Sequence, residues 1–120
     1  MGKLTTHVLD TANGRPASGV RIRLYAVGDD DLGARRFLCE TTTNADGRCD
    51  APLLDGEGFK AGRYEIVFGA GAYFAALGTE LPQPAFVGDV VLRFGIADGA
   101  QHYHVPLLVS PWSWSTYRGS

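Results

Sequence analysis

Val20-Arg21-Ile22-Arg23-Leu24-Tyr25 decides the fold class, because apolar and charged residues alternate along it with a period of two. Successive side chains of an extended chain point to opposite faces, so Val20, Ile22 and Leu24 share one face and the arginines the other. That is a half-exposed strand. On its N-terminal side the turn-forming run Thr11-Ala12-Asn13-Gly14-Arg15-Pro16 separates it from a first strand, Leu4 to Asp10. On its C-terminal side lies the acidic turn Gly28-Asp29-Asp30-Asp31-Leu32-Gly33. Beyond it, Arg36 to Thr43 and Arg48 to Leu53 read as a hairpin about Asn44-Ala45-Asp46-Gly47. A Gly-rich stretch runs to Gly62, and Tyr64, Ile66 and Phe68 then alternate with Arg63, Glu65 and Val67. Ala70 to Gly78 is the one segment suited to a helical turn or two, and Pro82 and Pro84 end it. Asp89 to Ile96, the Asp98-Gly99 turn, His102 to Val109 and Trp112 to Tyr117 complete the chain. About eight short strands at this spacing predict an all-β, two-layer antiparallel sandwich with one short helix. Residues 1–120 are expected to form a single domain.

Composition narrows the function. Eleven Lys and Arg against thirteen Asp and Glu leave a formal charge of -2, without the positive field that gathers nucleic acid or an anionic bilayer. No apolar run is long enough to span a membrane, and Met1-Gly2-Lys3-Leu4-Thr5-Thr6-His7 lacks the apolar stretch of a secretory signal, so the cytoplasm is the expected location. The two cysteines, Cys39 and Cys49, would not stand opposite one another in the expected hairpin, and free thiols are expected. Trp112, Trp114 and Tyr117 either close the core or form a contact with a second copy of the chain.

The histidines are three, His7, His102 and His104, and all fall in expected strands. His102 and His104, two apart, point to the same face, with Tyr103 and Val105 turned the other way. Zinc would need a third or fourth ligand, and His7 could supply one only if the strands aligned; no metal or other cofactor is expected. Arg48, directly after the Asp46-Gly47 turn, carries a planar cationic fork suited to a carboxylate or an imide-like oxygen, although a surface ion pair would explain it as well. The ending Tyr117-Arg118-Gly119-Ser120 sets an aromatic and a cation where chains commonly finish in frayed polar residues.

Three separated segments together resemble the 5-hydroxyisourate hydrolases, the enzymatic relatives of transthyretin. They are Leu4-Thr5-Thr6-His7-Val8-Leu9-Asp10-Thr11 with Gly14-Arg15-Pro16-Ala17, then Thr43-Asn44-Ala45-Asp46-Gly47-Arg48, and finally His102-Tyr103-His104-Val105-Pro106-Leu107-Leu108-Val109-Ser110-Pro111 running on to Ser115-Thr116-Tyr117-Arg118-Gly119-Ser120. The Tyr-Arg-Gly-Ser ending is the specific part, since the family's enzymes end that way and the hormone-carrying transthyretins do not. The resemblance implies a prealbumin-like β-sandwich, a homotetramer with active sites in the cleft between dimers, and a small-molecule substrate. It implies hydrolysis of 5-hydroxyisourate to 2-oxo-4-hydroxy-4-carboxy-5-ureidoimidazoline, a step of urate catabolism. Carried over residue by residue, it marks His7, Arg48, His104 and Ser120 as catalytic, and Arg48, Tyr117, Arg118 and Gly119 as substrate-binding. The segment Gly28 to Arg36 matches no family feature, and Trp114 stands where Tyr or Phe is usual. Opening a cyclic amide with water needs a base for the water proton and a positive group for the developing oxyanion, which histidine and arginine supply. His104 is the favoured base. The alternative is a transthyretin-type carrier holding an apolar ligand without catalysis.

Overall fold

The computed structural model describes residues 2–28 and 34–119; Met1, residues 29–33 of the acidic turn, and Ser120 lie outside the described residues. Among the described residues the strands are β1 (Leu4–Asp10), β2 (Arg15–Pro16), β3 (Arg21–Val27), β4 (Arg35–Thr42), β5 (Gly62–Phe68), β6 (Val90–Ile96), β7 (Tyr103–Val109) and β8 (Trp114–Thr116), with one α-helix, α1 (Ala70–Ala76), between β5 and β6 and a single 3-10 turn at Gly56–Gly58. They form two four-stranded sheets, ordered β2-β1-β7-β8 and β4-β3-β5-β6.

Alternation sets the inward faces. Leu4, Val8, Ile22, Leu24, Ile66, Phe68, Leu107 and Val109 are buried between the sheets, and each such aliphatic or aromatic side chain contributes about 1.5–3 kcal/mol by leaving water. Thr6 sits among them; its hydroxyl donates to the Val105 carbonyl at 2.7 Å, which satisfies an otherwise costly buried polar group. Helix α1 is built from small and aromatic residues without β-branching, buries Ala70, Tyr73 and Phe74, and ends at Gly78, whose φ of 83° suits glycine. The Tyr73 hydroxyl donates to Asp10 Oδ2 at 2.8 Å, tying the helix to the end of β1.

Two expectations are corrected. The sandwich is not wholly antiparallel: β1 and β7 run parallel, in register from Leu4↔Tyr103 to Asp10↔Val109. Both strands show the same inward alternation, which either direction would satisfy, and the antiparallel neighbours of β7 and β1 are β8 and β2. The expected hairpin does not form either. The turn is present, with Asn44 Oδ1 accepting from the N–H groups of Asp46 (2.9 Å) and Arg48 (3.2 Å), but the chain leaving it crosses to the other sheet. There it runs antiparallel along β1, with Val8 N–H donating to Gly47 O, Leu53 N–H to Leu4 O and Leu4 N–H to Leu54 O at 2.8–2.9 Å. Gly47 permits this crossing: its φ is 74°, and a Cβ there would stand 2.4 Å from the Val8 carbonyl oxygen.

Cys39 and Cys49 are both free, as expected, although not for the expected hairpin geometry. Burial pushes the Cys49 thiol up to about 11, with Cys39 and Asp50 adding to it, so neither residue is poised as a nucleophile. Trp112, Trp114 and Tyr117 are 61%, 44% and 60% exposed, which rules out the reading that they close the core.

Candidate active site

The outward face of the β1-β7 sheet carries the chemistry. Inward residues of β1 are Leu4, Thr6 and Val8, so Thr5 and His7 point outward; on β7, Tyr103 and Val105 point inward and His104 outward, with His102 just before the strand on the same side. His7 is bridged to Arg48 on one flank and in register with Pro106 on the other. One step along, Thr5 is in register with His104, which is bridged in turn to Gly119. Two adjacent rows thus lie on one face, Arg48-His7-Pro106 and Thr5-His104-Gly119. Diagonal neighbours in such rows have Cα atoms about 7–8 Å apart, within reach of imidazole side chains.

The local sequence explains each placement. The Asn44-Gly47 turn crosses to β1 and delivers Arg48 beside His7. The terminal segment continues the antiparallel pairing of β8 on β7, and Gly119 N–H donates to the His104 carbonyl at 2.7 Å. Gly119 must be small here, because a Cβ would come within 2.9 Å of His104 Cδ2.

Hydrogen bonds orient the imidazoles. His7 Nε2 lies 2.9 Å from the Asp46 carbonyl oxygen, which only accepts, so Nε2 carries the proton and Nδ1 is left as the acceptor of the neutral ring. His104 Nδ1 is 2.8 Å from the Thr5 hydroxyl, and His102 Nε2 is 3.5 Å from the same oxygen. Partial burial holds His104 below the ordinary histidine value of 6.5, and electrostatic interaction with Arg48, then with His7 and His102, acts in the same direction. A neutral imidazole at neutral pH follows. The Arg48 guanidinium has no hydrogen bond or ion pair among the described residues, which leaves its fork available to an anionic ligand. Beside these groups is a hollow lined by Lys3, Thr5, Arg48, Asp50, Pro52 and His102. A larger hollow beside α1, bordered by Arg21, Arg23, Tyr73 and Asp89, contains no histidine.

The structure therefore brings His7, Arg48, His104 and Gly119 together. The pairings Leu107↔Thr116 and His104↔Gly119 set Tyr117 beside Pro106 on the same outward face. Arg118, one residue on, is turned the other way. Its guanidinium stacks 4.0 Å from the centre of the Tyr103 ring, and Nη2 donates to Gln101 Oε1 at 3.1 Å and the His102 carbonyl at 3.2 Å. Ser120 lies outside the described residues. Thr5 is the residue that sequence reasoning missed. Its spacing from His7 signals the shared face, but its proximity to His104 depends on the parallel register. Among the described residues no three His, Cys, Asp or Glu side chains converge as a metal ion would require.

The chain is similar to known proteins over nearly its whole length. The model of the HIUase/Transthyretin family matches residues 4–119. A 5-hydroxyisourate hydrolase of Pseudomonas aeruginosa is 58% identical over 120 residues, covering 100% of this chain and 93% of that one. Its counterpart in Mesorhizobium japonicum is 60% identical over 119 residues, covering 99% and 93%. Among solved structures, the 5-hydroxyisourate hydrolase of Klebsiella pneumoniae superposes with a TM-score of 0.81 at 37% identity, covering 100% of both chains. Sea bream transthyretin, solved with thyroxine, gives 0.84 at 26% identity, covering 98% of this chain and 94% of the other. An (S)-allantoin synthase gives 0.91 at 49% identity, covering 99% of this chain, which spans only 44% of that longer one. With the sandwich, the crossing turn and the family match extending over the same residues, the chain belongs to the HIUase/Transthyretin family.

Proposed function

We propose that this protein is a hydrolase that opens the ring of 5-hydroxyisourate to 2-oxo-4-hydroxy-4-carboxy-5-ureidoimidazoline, a step of urate catabolism. The observation that carries the reading is the convergence of His7, Arg48 and His104 on one outward face. Relatives 58% and 60% identical over nearly the whole chain bear the name of that activity.

The residues present suit the reaction. His104, neutral near pH 7, accepts a proton from water at its free Nε2 as the water oxygen attacks the cyclic amide carbonyl. Arg48 faces the oxygen on which negative charge grows, where a fixed donor lowers the barrier by more than it stabilises the substrate. The tetrahedral species collapses by breaking its C–N bond, and the ring nitrogen takes a proton from the imidazolium. The carboxylic acid so formed releases its proton to solvent, and the outcome is a carboxylate and an opened ring. His7, with Nε2–H held by the Asp46 carbonyl, presents Nδ1 to the same space and orients water or substrate. Tyr117 and Gly119 border the site, and Ser120 follows them as a further group for holding water or a histidine. A carrier's channel would favour aliphatic lining, whereas two histidines and an arginine suit a small, polar, oxidised purine.

The assembly belongs to the same proposal: a homotetramer with the site enclosed between dimers. Edge strands β6 and β8 carry exposed Val91 and Trp114, and the histidine face of one chain is open. The cytoplasmic location expected from sequence is likewise retained as a proposal; no helix of the described residues is long and apolar enough to cross a membrane.

The test generates 5-hydroxyisourate in the cuvette with urate oxidase and follows its ultraviolet absorbance. Decay faster than the spontaneous rate supports the reading; an unaltered rate overturns it. Light scattering at assay concentration should give the mass of four chains, and a monomer would contradict the assembly.

A further inference from the structure

We infer that Thr5 is a positioning residue which, with His102 as acceptor behind it, holds His104 in the tautomer that leaves Nε2 free as the base. The inference rests on the proposed role of His104 as base and assigns functions to two further residues. Thr5 Oγ1 lies 2.8 Å from His104 Nδ1 and 3.5 Å from His102 Nε2, so one hydroxyl bridges two imidazoles. A hydroxyl has a single proton, so a bridge that uses this proton between the two rings has two arrangements. In one arrangement His104 Nδ1–H donates to Thr5, and the Thr5 O–H donates to His102 Nε2. In the other, His102 Nε2–H donates to Thr5, and Thr5 donates to His104 Nδ1.

Only the first arrangement is compatible with base catalysis at His104 Nε2. If Thr5 donated to Nδ1, the neutral ring would carry its proton on Nε2 and face the water with a donor. The first arrangement also survives the reaction without rearrangement. When Nε2 takes the water proton, the imidazolium donates from both nitrogens, and Thr5 already stands as acceptor at Nδ1. Groups that need no reorientation during proton transfer are the ones that lower its barrier. The tautomer of a catalytic imidazole is set by the hydrogen bond of its other nitrogen, as with the carboxylate of a serine hydrolase triad. Here a threonine backed by a second histidine takes that place. It also gives His102 a function, since its ring is the other partner of the same hydroxyl.

The test uses the full chain labelled with 15N-histidine, together with Thr5→Val, Thr5→Ser and His102→Phe. Nitrogen chemical shifts report the tautomer directly and do not depend on turnover. His104 should carry its proton on Nδ1 in the unaltered protein, lose that preference in Thr5→Val, and regain it in Thr5→Ser. His102→Phe should weaken it. In the hydrolysis assay kcat of Thr5→Val should fall by about tenfold or more with KM little changed, since base catalysis is worth about 10²- to 10⁴-fold in all. Serine should restore most of it. An Nε2–H tautomer in the unaltered protein, or an Nδ1–H tautomer that persists in Thr5→Val, overturns the inference. Absence of hydrolysis by the unaltered protein would instead remove the catalytic reading, while the nitrogen shifts would still decide what Thr5 does to His104.

Discussion

Replacing Gly119 by alanine is the smallest change that should separate the site's chemistry from its stability. A Cβ added there stands 2.9 Å from His104 Cδ2, 3.3 Å from its Cβ and 3.4 Å from Cγ. Carbon atoms in good contact sit about 3.5–4.0 Å apart, so the imidazole or the terminal segment must shift by about 0.6 Å or more. If the segment yields, the hydrogen bond from Gly119 N–H to the His104 carbonyl, now 2.7 Å, lengthens. One such bond is worth about 1 kcal/mol net, and for a chain of this size that lowers Tm by only about 4 °C. If the ring yields, its Nε2 moves relative to the attacked carbonyl. Displacements approaching 1 Å cost about a hundredfold in rate, so kcat should fall by about tenfold to a hundredfold. The assay is steady-state decay of 5-hydroxyisourate beside a thermal melt and a measured oligomer mass. Undiminished kcat together with an unchanged Tm in a Gly119→Ala protein would refute the argument that the terminal segment packs against a working His104.

Other expectations are as direct. Arg48→Gln should lower kcat/KM by about 10²- to 10³-fold, the usual loss of an oxyanion donor, with Arg48→Lys recovering only part; equal activity would show that Arg48 only decorates the surface. Because burial and neighbouring positive charge hold His104 below 6.5, kcat/KM should stay level as pH falls to that value and decline only beneath it, and a decline centred above 6.5 would assign the base elsewhere. Burial alone would raise Glu65, but its hydrogen bonds from Arg35 (2.5 Å) and Arg93 (2.9 Å) outweigh this and keep it below the usual carboxylate range. The stability it contributes is present above the carboxylate range of the unfolded chain and lost as pH falls through the lowered folded value. Glu65→Gln should accordingly lower Tm at neutral pH and flatten the acid side of the Tm-pH curve, which differential scanning calorimetry would measure.

Much of this molecule is legible in its sequence, and the portions that are not share one cause. Alternation alone gives the inward faces of β1, β3 and β7, and with them the common outward side of His102 and His104. The proline pair and the small residues locate α1. What alternation lacks is pairing. A period of two reads the same in either direction, so it hides the parallel register of β1 on β7, and with it the meeting of Thr5 and His104. The Asn44-Gly47 turn is recognisable, but its hairpin is not the outcome, because Gly47 packs against β1 and steers the chain to the other sheet. Glu65 faces solvent by alternation, yet it is buried by two arginines, Arg93 from the adjacent β6 and Arg35 reaching across β3 from β4. At the terminus the motif marks four consecutive residues, whereas strand geometry places Gly119 and Tyr117 on the histidine side and Arg118 over Tyr103.

The central claim is that the histidine face hydrolyses 5-hydroxyisourate with His104 as the base, and a single comparison tests it most directly. Substrate made in the cuvette by urate oxidase is followed in the ultraviolet with the unaltered protein, with His104→Ala, and with neither. Decay well above the spontaneous rate that the variant loses, while its melt and oligomer mass stay unchanged, is the expected result. Spontaneous decay in all three, or a variant as fast as the unaltered protein, would contradict the account.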